Sequence, residues 1–145
     1  MLGSVSGASA AIGTTWISQK SQTVRERAKS ETRKRETLYG DFITEASQRL
    51  ADAFDHSLDK PETLVKLYAI LGRTRLVSSD AVLVAAEECC DRVVDLYAKP
   101  NRTLAEIFTT LHSGELEVLE RFSDACRIEL RKVLRLLSDV VPPGP

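Results

Sequence analysis

The hydrophobic patterning changes abruptly at Leu38, and this constrains the fold more than any other feature of the chain. Between residues 19 and 37 the only apolar residues are Val24 and Ala28. From Leu38 onward apolar residues recur at three- and four-residue intervals almost to the C-terminus, the period of a helix with one buried face. No segment alternates convincingly at period two, so no sheet is expected. The pattern predicts an all-α chain: a long N-terminal helix, comprising anchor and stalk, that runs into a small four- to five-helix bundle.

Within the bundle, the first stripe is Leu38, Phe42, Ala46, Leu50 and Phe54, widened by Tyr39, Ile43 and Ala53. Gly40 lowers helix propensity there, and close packing of a second helix would explain it. Pro61 suits a first helical turn. A second helix then carries Leu64, Leu67, Tyr68 and Leu71 on one side and ends near residues 72–76. Ser78, Ser79 and Asp80 offer N-caps for a third helix, with Val82, Ala86, Cys89, Val93 and Tyr97 as its stripe and Pro100-Asn101 as its stop. Thr103 and Glu106 make a capping box for a short fourth helix through Leu104, Ile107, Phe108 and Leu111, and Gly114 suits its C-terminal cap. The last helix, about residues 115–139, presents Leu116, Leu119, Phe122, Cys126, Leu130, Val133, Leu134 and Leu137. Pro142, Pro143 and Pro145 end the helical pattern, leaving residues 140–145 as a disordered tail.

A net charge of −1 conceals a division. Residues 20–36 hold seven basic and three acidic side chains, while thirteen basic and eighteen acidic residues make the remainder −5. An acidic body is a poor ligand for duplex nucleic acid, because such binding depends on clustered Lys and Arg. The basic arm lacks the interleaved aromatic residues that stack on bases, so nucleic acid is not the expected partner. Three cysteines with no metal-like spacing suit a reducing compartment.

Residues 1–18 carry no charge and form either a membrane anchor or a flexible Gly/Ser/Ala tail. As a helix, residues 1–17 would span roughly 26 Å at about 1.5 Å per residue, slightly short of a hydrocarbon core of about 30 Å. Three features favour the membrane: no charge before Lys20, Trp16 at an interfacial position, and Gly3, Gly7 and Ala11 at four-residue spacing. The basic flank then places the C-terminal side in the cytoplasm. Trp16, Lys20, Arg25, Arg27 and Lys29 are the expected membrane-interface residues, because juxtamembrane cations are attracted to anionic headgroups. Residues 19–37 form a basic helical stalk, polar all round. A faint heptad through Ile17, Val24, Ala28 and Leu38 is broken by Glu31 and Arg35, which favours a solvated stalk over a homodimeric coiled coil.

Chemistry is sparse. His56 and His112 sit near predicted helix ends with no accompanying ligand set, and no catalytic, cofactor-binding or metal site is expected. Cys89, Cys90 and Cys126 lie on apolar stripes beside Glu87, Glu88 and Asp91, which disfavours thiolates. Glu87, Glu88, Asp91 and Asp95 resemble a carboxylate metal face, but no Glu-x-x-His accompanies them and a solvated acidic surface is the preferred reading. Arg73 and Arg75 interrupt an apolar neighbourhood. They would pair with the acidic helices or grip an anionic partner, and the structural role is favoured.

Residues 38–43 (Leu-Tyr-Gly-Asp-Phe-Ile), 67–73 with Leu67-Tyr68-Ala69 and Leu71-Gly72-Arg73, 98–101 (Ala-Lys-Pro-Asn) and 122–127 (Phe-Ser-Asp-Ala-Cys-Arg) occur in an order that resembles a family of short, uncharacterised bacterial proteins. The resemblance covers most of residues 16–132. It implies one N-terminal transmembrane helix, a basic helix and a small all-helical cytoplasmic domain, and no catalytic residues; the helical stripes themselves bound the bundle domain at residues 38–139. The anchor here is shorter and less apolar than the family pattern. The expectation is a non-catalytic, single-pass inner-membrane module with a cytoplasmic C-terminal domain that contacts membrane lipid and binds a protein partner or assembles as a homo-oligomer. The alternatives are a soluble cytoplasmic interaction domain with a disordered N-terminus and a carboxylate-metal bundle enzyme.

Overall fold

The computed structural model describes residues 9–56, 58–99, 102–112, 114 and 117–139, without the side chains of residues 9–18, 111, 112, 137 and 138. Five helices are described: α1 (Ser9–Asp55), α2 (Glu62–Val77), α3 (Asp80–Tyr97), α4 (Leu104–His112) and α5 (Glu117–Asp139). The chain is all-α over these residues, with a long first helix packed against a small bundle. The stop at Pro100-Asn101, the stripe positions Leu111, Leu116 and Leu137, the side chains of Trp16 and His112, and the 140–145 tail lie outside what is described.

α1 runs unbroken for 47 residues, about 70 Å at 1.5 Å per residue. It includes part of the segment read as anchor or tail. No helix among the described residues is long and apolar enough to cross a membrane. The expected span is therefore not found there: Gly, Ser and Thr dilute the few large apolar residues, and the charges begin at Lys20.

The core lies among the C-terminal half of α1, α2, α3 and α5. Leu38, Tyr39, Phe42, Ala46, Leu50 and Ala53 are buried on α1, as their spacing requires, and Val82, Ala86, Cys89, Val93 and Tyr97 on α3. Phe122 of α5 sits at the centre, its ring 4.5 Å from Phe42 and edge-on to Tyr39 at 6.0 Å. Residue numbers rise along α5 as they fall along α1, so the two helices are antiparallel.

Local signals are realised closely. Pro61 takes helical angles before Glu62. Thr103 and Glu106 form the capping box: the Thr103 amide donates to Glu106 Oε2 at 2.7 Å and the Glu106 amide donates to Thr103 Oγ1 at 3.4 Å. Gly114 adopts φ 80° after α4, a left-handed conformation that glycine takes without Cβ strain.

Faces depart from expectation in four places. Tyr68 is exposed and Ile70 and Thr74 are buried instead, because α2 turns its 64-67-71-74 seam inward. Leu104 and Phe108 are exposed on α4, which stands outside the four-helix core. Leu134 of α5 is exposed as well. Gly40 is exposed too, and a Cβ there would meet nothing within 4 Å, so close helix packing does not account for it.

Candidate functional site

A densely bonded polar group is a carboxylate that the stripe of α5 hides. Glu129 lies three residues after Cys126 and seven after Phe122, on the buried face, with only 8 % of its surface exposed. Oε1 accepts an ion-paired bond from Arg35 of α1 and a hydrogen bond from the Tyr39 hydroxyl at 3.2 Å. Oε2 accepts the Ser79 amide at 3.0 Å and the Ser79 hydroxyl at 2.6 Å. Four donors from two elements thus converge on one buried carboxylate, which is what a buried charge requires.

This arrangement joins three parts of the molecule: the point where the α1 stalk leaves the bundle, α5, and the α2–α3 turn. Ser79 occupies the predicted N-cap position of α3, yet its side chain makes no capping bond within its own helix. Its donors turn to Glu129 instead. Tyr39 also bonds Ser78 Oγ at 2.9 Å. Burial pushes the Tyr39 phenol up to about 12, with the Glu129 charge reinforcing and the Ser78 bond opposing the shift. The phenol remains a proton donor at any physiological pH.

Two further polar links tie α1 to its neighbours. Glu45, 3 % exposed, bonds Arg49 at 3.2 Å on its own helix and Lys66 of α2 at 2.7 Å. Tyr97 of α3 donates to Asp52 at 2.5 Å. Burial, then the Asp52 bond, push the Tyr97 phenol up to about 12. Asp52 also meets His56 Nδ1 at 3.2 Å, which gives this histidine a helix-end role. Glu129, Glu45 and Asp52 were all missed from the sequence. The available signal was a carboxylate at a stripe-compatible spacing, at Glu129 most clearly.

The acidic face of α3 does not act as one set. Glu87 pairs with Arg75 at 2.5 Å, both side chains being exposed. Glu88, Asp91 and Asp95 line an open cleft of about 370 Å³ with Arg92, Gly114, Val118 and Arg121, and Arg121 meets Glu88 at 3.3 Å. Among the described residues no three His, Cys, Asp or Glu side chains are grouped to hold a metal ion. Arg73 lines a separate groove of about 370 Å³ between α1 and α2, with Asp41, Thr44, Lys66, Ala69 and Ile70.

All three cysteines are free and buried. Burial, helped by adjacent Cys90, pushes the Cys89 thiol up to about 12. Burial does the same to Cys90, with Asp91 and Glu87 beside it, and to Cys126, with Glu129 nearby. The Cys89 thiol donates to the Val118 carbonyl at 3.1 Å. Thiols held protonated in this way are not nucleophiles at neutral pH.

Lys20, Arg25, Arg27 and Lys29 are exposed along the projecting part of α1. The structure does not bring them near Arg73 or Arg75, which belong to α2. The stalk is less solvated than its composition suggests, since Thr32 is buried and Ala28 and Arg35 are half-buried. Ala28 and Thr32 lie on the helix face that carries Arg35 and Tyr39 to Glu129 of α5, while Val24 stays exposed. No protein-family model, curated protein or solved structure matches this chain.

Proposed function

We propose that this chain is a non-catalytic helical module that works at a membrane surface, where the α1 arm provides the attachment and the bundle binds a protein partner or a second copy. The separation of charge carries this reading: residues 20–36 hold seven basic and three acidic side chains, and the rest of the chain is −5. The cations Lys20, Arg25, Arg27 and Lys29 project from the bundle on exposed helix, where anionic headgroups attract them within a Debye length.

The non-catalytic part is supported by the way reactive groups are engaged. Three thiols are pushed up to about 12, and the buried carboxylates Glu129 and Glu45 are bound to partners on other helices. In the acidic cleft, Arg92 and Arg121 face the carboxylates.

Membrane sedimentation of the full chain tests the attachment. Retention through a high-salt wash supports a span by the N-terminal segment, whereas release by salt supports attachment through Lys and Arg alone. Complete recovery in the soluble fraction at low salt refutes the membrane surface as the site of action.

A further inference from the structure

The antiparallel pairing of α1 and α5 brings together two segments a hundred residues apart. Glu129 is bonded to Arg35 and Phe122 packs on Phe42, so each step forward on α5 is a step back on α1. On that register residues 131–139 run beside residues 33–25 of the basic arm. They add Arg131, Lys132 and Arg135 against a single acid, Asp139. Residues 19–36 and 130–139 together hold ten basic and four acidic side chains, a charge of +6 that leaves −7 on the rest of the chain. The fold therefore concentrates cations at one end more strongly than the arm alone does.

The same end exposes apolar surface. Leu136 is 57 % exposed and lies four residues after Lys132 on the side of α5 that Arg131 and Arg135 also share by helical spacing, and Leu134 is 48 % exposed on another side of the helix. Leucines among arginines and lysines suit an anionic bilayer, with the cations at phosphate depth and the leucine at the boundary between headgroups and acyl chains. Neither segment contains an aromatic residue for stacking on bases.

We propose that the paired end of α1 and α5, and not the α1 arm by itself, docks on an anionic lipid bilayer, with Arg131, Lys132 and Arg135 sharing the headgroups and Leu136 entering the interface. This inference rests on the membrane-surface reading above, but it assigns the contact to α5 residues that the reading does not use.

The test is partition of the full chain onto vesicles of phosphatidylcholine alone and of phosphatidylcholine mixed with phosphatidylglycerol. The variant Arg131→Gln/Lys132→Gln/Arg135→Gln should lower the preference for the anionic vesicles on the order of 100-fold at low salt. Lys60→Gln/Lys99→Gln on the body should leave that preference unchanged. Circular dichroism checks that each variant keeps its helix content.

In a second measurement, a bimane attached at Leu136→Cys should shift to the blue on anionic vesicles, and the buried native thiols leave this site selectively labelled. An unchanged preference in the α5 triple variant together with an unshifted probe overturns the inference. So does capture by duplex DNA, through these same residues, in preference to vesicles. Salt-resistant binding to neutral vesicles reports on the N-terminal segment alone. The two attachments are thereby scored separately.

Discussion

Glu129→Ala removes the acceptor for four donors at once, and its cost follows from the geometry. Breaking a buried ion pair by deleting one partner costs about 3 to 5 kcal/mol. Two features place this site at the lower end of that range. Arg35 keeps 28 % of its side chain exposed and Ser79 is exposed, so both regain water, while Tyr39 retains its bond to Ser78. We expect a loss of about 3 kcal/mol, a large part of the roughly 5 to 15 kcal/mol that stabilises a domain. Urea unfolding should show a midpoint lower by about 1.5 M with an unchanged slope, and heating a Tm lower by about 10 °C. Glu129→Gln keeps the shape but turns an amide N–H₂ toward donors, so about 2 kcal/mol should be lost. A double-mutant cycle with Arg35→Ala isolates the pair. A loss below about 0.5 kcal/mol, or a cycle with no coupling, would refute the view that this carboxylate fastens the stalk to the bundle.

Three other outcomes follow. Phe122→Ala should cost about 3 to 5 kcal/mol because the ring is fully buried, whereas half-buried Leu130→Ala should cost clearly less in the same urea assay; equal losses would mean that the face of α5 is misassigned. Gly40→Ala and Gly72→Ala should each stabilise by about 0.5 to 1 kcal/mol, since a Cβ at either position meets nothing within 4 Å; thermal melts that show destabilisation would reveal contacts there. Tyr39 and Tyr97 are raised from 10.0, and Cys89, Cys90 and Cys126 from 9.0, each to about 12, so the folded state binds these protons more tightly than the unfolded chain. Stability should hold below about pH 9 and fall between about pH 9 and 12 as the unfolded chain deprotonates first, and a urea midpoint flat across that window would contradict the burial of these groups.

The sequence by itself determined the elements. Helical periodicity, the Thr103–Glu106 capping box, the Pro61 start and the Gly114 turn all act within a few residues, and the chain realises each one. The α1 and α3 core stripes were legible for the same reason: residues three and four apart share a helix face whatever surrounds it. Tertiary structure decided which helix met each face and how far along. It buried Thr32, exposed Tyr68, Leu104, Phe108 and Leu134, and left Gly40 in the open. It also converted Glu129, a charge that an apolar stripe reads past, into the link between α1, α5 and the α2–α3 turn. Arg35 and Glu129 are 94 residues apart in sequence. Local spacing fixes the direction of a side chain around its own helix axis, but the encounter of two side chains so distant depends on the register between helices, which is set by the packing of the whole core.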